Sequence, residues 1–299
     1  MEAWIYFVLS AQLIWAVCAL IDKFVISKGH IRNPMVYIIV NGAMNAFLVF
    51  LLPFFDFSPI SAIDFFIALI SSASITAAVI IYYKAVQYEE ISRIIILMQF
   101  IPVFTLFLSF LVLGERLSGN DFIGFIFLLA AGLLVSYHKE KKSFRIGKAF
   151  YLMIAHSFLV GVAYVAAKHV FNVTDFWSGV LWLKLTSFIA LAVLLIPSVR
   201  KDFIQTFRSM GTKIKGLLGF KMTIDFSAFI LSDAAILLGP VALVSALSAS
   251  SAPVFVFALA LLASVYFPKL IKEEINKSAI FTKILAIALI VTGIFFVNL

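Results

Sequence analysis

The sequence predicts an all-α membrane protein of ten transmembrane helices, arranged as two inverted five-helix repeats. Three observations carry that prediction. Hydrophobic residues make up 64% of the 299 and charged ones only 13%, about half the charged share of a soluble domain. A water-soluble fold of this length has too little interior to hide 33 phenylalanines among so much other apolar surface. The apolar residues also gather into ten stretches close to the ~20 residues that cross a bilayer, and short motifs recur in the same order in the two halves.

The expected spans are 4–25, 35–55, 62–84, 93–113, 121–138, 148–171, 177–197, 215–238, 240–267 and 279–298. The first begins at the N-terminus, because MEAWIYFVLSAQLIWAVCAL lacks the basic start and small-residue cleavage site of a secretory signal. Most connections are short. The most polar are HKEKKSFRIGK at 138–148, near the centre of the chain, and VRKDFIQTFRSMGTKIK at 199–215.

The repeat divides the chain into 1–140 and 141–299. Pro102-Val103-Phe104 in the fourth span recurs as Pro253-Val254-Phe255 in the ninth. Glu115-Arg116-Leu117 is echoed by Glu273-Glu274-Ile275, each just before the last span of its half, and Lys23-Phe24-Val25 by Lys168-His169-Val170. Five spans per half, an odd number, make the second copy face the opposite way.

Charge sets the orientation. Loops after odd-numbered spans hold Lys28, Arg32, Lys139, Lys141, Lys142, Arg145, Lys148, Arg200, Lys201, Arg208, Lys213, Lys215, Lys269, Lys272 and Lys277; the other side has Arg116, Lys168 and little more. The positive-inside rule makes the odd loops cytoplasmic and puts both termini outside. The net charge of +8 then faces anionic lipid rather than nucleic acid. The single cysteine, Cys18, excludes a disulfide within the chain.

The block AVQYEEISRIIILMQFIPVFTLFLSFLVLGERLSGNDFIGFIFLLAAGLLV at 85–135, with its GER-L-S turn and the following glycines Gly124 and Gly132, resembles the drug/metabolite transporter superfamily, specifically its EamA-type members. Trp15-Ala16 and GPVALVSALSASSAPVFVFALALL at 239–262 fit the same pattern, although the second GE turn has become KEE. The resemblance implies a central cavity between the halves and a secondary transporter, not an enzyme, moving a small polar or amphiphilic metabolite by alternating access. It also implies a prokaryotic inner-membrane location. Many members of that family keep both termini in the cytoplasm, the reverse of what the charges here give.

Ionisable groups inside a span cost about 2.5–3.5 kcal/mol each and need partners or water. Span eight carries Lys221, Asp225 and Asp233. Asp225 either pairs structurally with Lys221 one turn earlier or binds a cationic group or carries a proton; Asp233 reads as a capping or interfacial residue. Lys184 either snorkels to the interface, pairs with Asp225 or holds an anion. His156 is either packed against a neighbouring helix or is a substrate contact and proton relay, with Tyr164 two turns away. Asn41 and Asn45 share a face and either bind helices together or line the cavity. Tyr83 and Gln99 are further candidates, as are Trp15 and Trp182, whose rings would suit an organic cation. Pro102 and Pro253 would bend their helices and free a carbonyl each. Gly114 would end the fourth span in a left-handed turn, with Ser118 and Asp121 capping the fifth.

No metal, cofactor or catalytic constellation is present in the sequence. The expected partners are a small-molecule substrate and the bilayer, for a monomer or homodimer. A flippase for a lipid-linked sugar, using Lys168, Lys184 and Lys221, is the second reading, and a polytopic membrane enzyme the third.

Overall fold

The computed structural model describes residues 2–27, 38–40, 42–43, 57–88, 94, 96–136, 147–266 and 277–299. Among them every regular element is a helix: α1 (Ala3–Ser27), α2 (Ala62–Ala85), α3 (Phe100–Leu113), α4 (Gly119–Ser136), α5 (Lys148–Val173), α6 (Phe176–Thr186) running into a 3-10 segment (Ser187–Leu195), α7 (Pro197–Ser209), α8 (Thr212–Leu238), α9 (Val241–Tyr266) and α10 (Lys277–Val297). Five stretches are long and apolar enough to cross a membrane: Ala3–Asp22, Ala62–Ala85, Lys148–Val173, Phe176–Leu195 and Val241–Leu262. Three shorter apolar helices accompany them, Phe100–Leu113, Gly119–Leu134 and Phe281–Val297. Most of the expected second span, 35–55, lies outside the described residues.

Local chemistry sets the helix ends. Ser61 accepts the Asp64 N–H at 3.1 Å to start α2, and Asp175 accepts that of Ser178 at 3.0 Å to start α6. α3 stops at Gly114, whose φ of 67° is the left-handed cap foreseen from the sequence. Ser118 and Asp121 then form a reciprocal box at 3.1 Å in both directions, opening α4.

Three features differ from the sequence expectation. The polar connection at 199–215 contains a helix, α7. Span seven is α-helical only as far as Thr186, because the Thr186 hydroxyl bonds back to Trp182 O and that of Ser187 to Lys184 O, competing with the helical ladder. Its nine-residue 3-10 continuation is long for that geometry. The fourth span is interrupted just before Pro102: residues 94, 96 and 97 are helical, 98–99 form a turn and α3 begins at Phe100, so the proline occupies its first turn, where an amide hydrogen would lack a helical acceptor. Pro253 lies inside α9.

Small residues bring helix axes close. A Cβ on Gly124 of α4 would lie 2.8 Å from the Gly293 carbonyl of α10, the close approach that holds membrane helices together. Ser71 of α2 donates to Ala163 O of α5 at 2.9 Å. At one end of the bundle the Glu2 amide donates to Asn298 Oδ1 at 2.9 Å, so both termini share that end. There Trp4, Ile5 and Val8 pack with Val170, Phe171, Ile236 and Leu243 into a sealed apolar core. Phe107, Phe110, Val112, Phe122 and Ile126 project outward, as a lipid-facing surface requires.

Candidate functional site

Below the sealed end, α1, α2, α5, α6 and α8 surround a cavity of about 370 Å3. Its wall is built on the ridge of α8 in which Lys221, Asp225, Phe229 and Asp233 follow at four-residue steps and so share a face. Lys184, from the last turn of α6, meets this ridge: its Nζ is 3.2 Å from Asp233 Oδ2 and 4.3 Å above the Phe229 ring. Only 8% of Lys184 and 7% of Asp233 is exposed. Lys184 is therefore held inside the bundle, with Asp233 as its direct partner, rather than snorkelling to the interface, and Asp233 is a wall residue rather than a cap. Its eight-residue spacing from Asp225 was the signal for this.

A second cluster sits nearer the other end. Lys221 Nζ is 3.8 Å from Asp225 Oδ2, the pairing one turn apart that the sequence suggested, and 3.5 Å from Asp22 Oδ2 of α1. The Trp15 indole donates to Asp225 Oδ1 at 2.8 Å and its ring meets Phe229 edge-on at 5.2 Å. Asp22 was missed in the sequence, although it stands seven residues after Trp15 and hence on the same helical face. The two lysines and three aspartates give the site one surplus negative charge when all are ionised. Trp15, Tyr83, Tyr164 and Phe229 supply aromatic surface, while Ser71, Ser72, Thr76, Ser187 and Ser232 supply hydroxyls.

The remaining candidates divide. Tyr83 and Tyr164 line the cavity. His156 does not: its Nδ1 lies 2.9 Å from Ala78 O between α5 and α2, and its Nε2 has no partner among the described residues. Trp182 also points away, donating to Ser58 O at 3.1 Å and packing on Phe57 at 4.6 Å, because residues two apart on a helix face nearly opposite ways. Asn41 and Asn45 lie outside the described residues.

Gln99 does something the sequence did not reveal. Pro253 has no amide hydrogen, so the carbonyl four residues earlier, Ala249, loses its helical partner. The Gln99 side-chain amide donates to that oxygen at 3.4 Å. Gly132 leaves room for it, since a Cβ there would lie 2.1 Å from Gln99 Oε1.

The sealed end has its own polar junction around Gly239. Lys168 Nζ donates to the carbonyls of Ile236, Leu237 and Gly239 at 2.8, 2.8 and 3.1 Å, capping α8. Glu115 accepts the Val241 amide at 3.1 Å, capping α9, and stands 4.0 Å from Lys168. Glu115 thus ties the Gly-Glu-Arg turn to the start of α9. Burial raises its carboxyl above the ordinary value, against the opposing pull of the Val241 amide and Lys168.

The EamA-like transporter family model matches residues 2–137. A solved structure, described only as the crystal structure of a protein, has the same fold: TM-score 0.70 at 18% identity, over 100% of this chain and 99% of its own. No curated protein matches the sequence.

Proposed function

We propose that this integral membrane protein, whose residues 2–137 belong to the EamA-like transporter family within the drug/metabolite transporter superfamily, is a secondary active transporter for a small polar or amphiphilic organic metabolite. Ten spans in two inverted five-helix halves alternate access to the cavity. The protein acts as a monomer or homodimer in a prokaryotic inner membrane, its basic loops cytoplasmic.

The observation that carries this reading is the cavity itself. Ion-paired lysines and aspartates are costly in a bilayer, yet Lys184, Asp233 and Lys221 line a space of about 370 Å3 beside four aromatic rings. The closed junction at Gly239 gives the cavity a sealed end, as one state of an alternating cycle would need. A flippase is less favoured, because Lys168, Lys184 and Lys221 are each held by carbonyls or acids rather than left facing a lipid headgroup.

Asp225, held between Lys221 and Trp15, is the leading candidate for proton coupling; His156 does not line the cavity and is second. A thermal-shift panel of amino acids, quaternary amines, nucleobases and sugar phosphates, followed by uptake of each stabilising solute into proteoliposomes, tests both claims. Uptake driven by a pH gradient and lost in Asp225→Asn is the expected result. Gradient-independent uptake that survives Asp225→Asn removes the coupling, and failure of every stabilising solute to cross removes the transporter reading.

A further inference from the structure

The helix α7 is unlike every other long helix described. It joins the 3-10 segment to α8 and none of its residues is buried. Val199, Phe203 and Thr206 are half-buried and form the side turned to the protein, where Phe203 packs against the cluster of Val25, Met210 and Leu218. At 3.6 residues per turn, Phe207, Arg200, Ile204, Arg208 and Lys201 fall within one arc of roughly 120°. All five are exposed. Large apolar groups are therefore interleaved with three cations on a surface that the protein leaves uncovered.

The surroundings extend the pattern. Leu195, just before α7, is 82% exposed, and Ile196 follows it outward. On the other side Lys215 stands 4.9 Å over the Phe207 ring, and Lys213 is exposed nearby. Between residues 197 and 215 there are five basic residues and one acid, Asp202. Because α7 directly follows the membrane-length apolar stretch Phe176–Leu195, it starts where that stretch ends, at the level of a bilayer surface.

We propose that α7 docks on anionic phospholipid headgroups, seating Ile204 and Phe207 at the level of the acyl boundary and Arg200, Lys201 and Arg208 among the phosphates. An amphipathic helix with basic residues beside large apolar ones lies in the interface plane in this way. The same contact fixes the basic end of the bundle against the anionic leaflet. The 3-10 segment carries that contact inward, since Ser187 and Ala190 line the cavity and Lys184 immediately precedes it.

The test uses the full-length protein in nanodiscs of phosphatidylcholine with or without phosphatidylglycerol of the same acyl chains. Thermal unfolding and native mass spectrometry of retained lipid are the readouts. Wild type should unfold at higher temperature with phosphatidylglycerol and retain that lipid preferentially, an effect that fades at high salt. The variant Arg200→Gln/Lys201→Gln/Arg208→Gln should lose most of the preference, each removed charge weakening retention by roughly fivefold. Lys201→Gln alone should show about one such step, which serves if the triple variant folds poorly. Lys148→Gln, on another basic stretch, should leave the preference in place. Equal behaviour of wild type in the two lipids, or a preference unchanged in both α7 variants, would overturn the proposal.

Discussion

Among the lysine–carboxylate junctions of the described residues, the one at the sealed end and the Lys184–Asp233 pair in the cavity wall are built for opposite purposes. At the sealed end Lys168 donates to three carbonyls of α8, Glu115 caps α9, and the Trp4 ring lies against Gly239, where a Cβ would come within 2.6 Å of it. Lys168 and Glu115 are spent on helix ends there, and apolar side chains exclude space. In the cavity wall Lys184 and Asp233 meet directly, and their surroundings include open volume. The first arrangement holds backbone in place. The second presents paired charges to whatever enters.

The sharpest test of that contrast removes one member of each junction. Lys184→Met or Asp233→Asn leaves its partner buried and uncompensated, with an expected loss of about 3–5 kcal/mol in a chain that still must pack. Lys184→Met/Asp233→Leu should recover much of the thermal stability by exchanging the pair for apolar contacts, yet not recover uptake of any solute the wild type carries. Lys168→Met should cost less, about 1.5–3 kcal/mol for hydrogen bonds to a charged donor, and should speed amide hydrogen exchange at the sealed end without abolishing uptake. If the double variant transports normally, the cavity pair is structural and the contrast collapses.

How much of this was legible in the sequence follows from which contacts are local. The Gly114 cap and the Ser118–Asp121 box lie within a few residues, and both were read correctly from residue type and spacing. The Lys221–Asp225 pair is also one turn apart. Asp233 was misread because position near a span's end suggested a cap, whereas its register with Asp225 places it on the cavity face. Glu115 and Lys168 acquire their roles from partners far away in the chain, which periodicity cannot supply. The polar composition of α7 points to a connection, whereas the spacing of Val199, Phe203 and Phe207 is helical.

The proline pair sharpens the comparison from a third position. Pro102 and Pro253 match in sequence but not in structure, one in a first turn and one inside a helix. If Gln99 compensates the carbonyl that Pro253 frees, Gln99→Leu should destabilise wild type by about 1 kcal/mol, the net worth of one such bond. In a Pro253→Ala background the Ala249 carbonyl regains its helical partner, and the same change should then cost almost nothing. Gly132→Ala, by crowding Gln99, should behave as Gln99→Leu does. Thermal unfolding of the four members of this cycle measures the coupling, and equal costs in both backgrounds would separate Gln99 from the proline.

The smallest expected effect is a pH dependence confined to the sealed end. Burial holds the Glu115 carboxyl above its ordinary value of 4.5, so the folded protein keeps that proton to higher pH than the unfolded chain does. Its contribution to stability is complete below 4.5 and declines as pH rises through the raised folded value. Glu115→Gln should flatten this component while preserving the cap, because the amide oxygen can still accept the Val241 N–H. The difference between the two unfolding profiles isolates Glu115 from the carboxylates of the cavity, which both proteins share. A difference that grows in the opposite direction, with wild type gaining on the variant as pH rises, would mean that Lys168 and the Val241 amide outweigh burial. The junction would then behave as an ion pair closing the sealed end, and the distinction from the cavity wall would rest on open space alone.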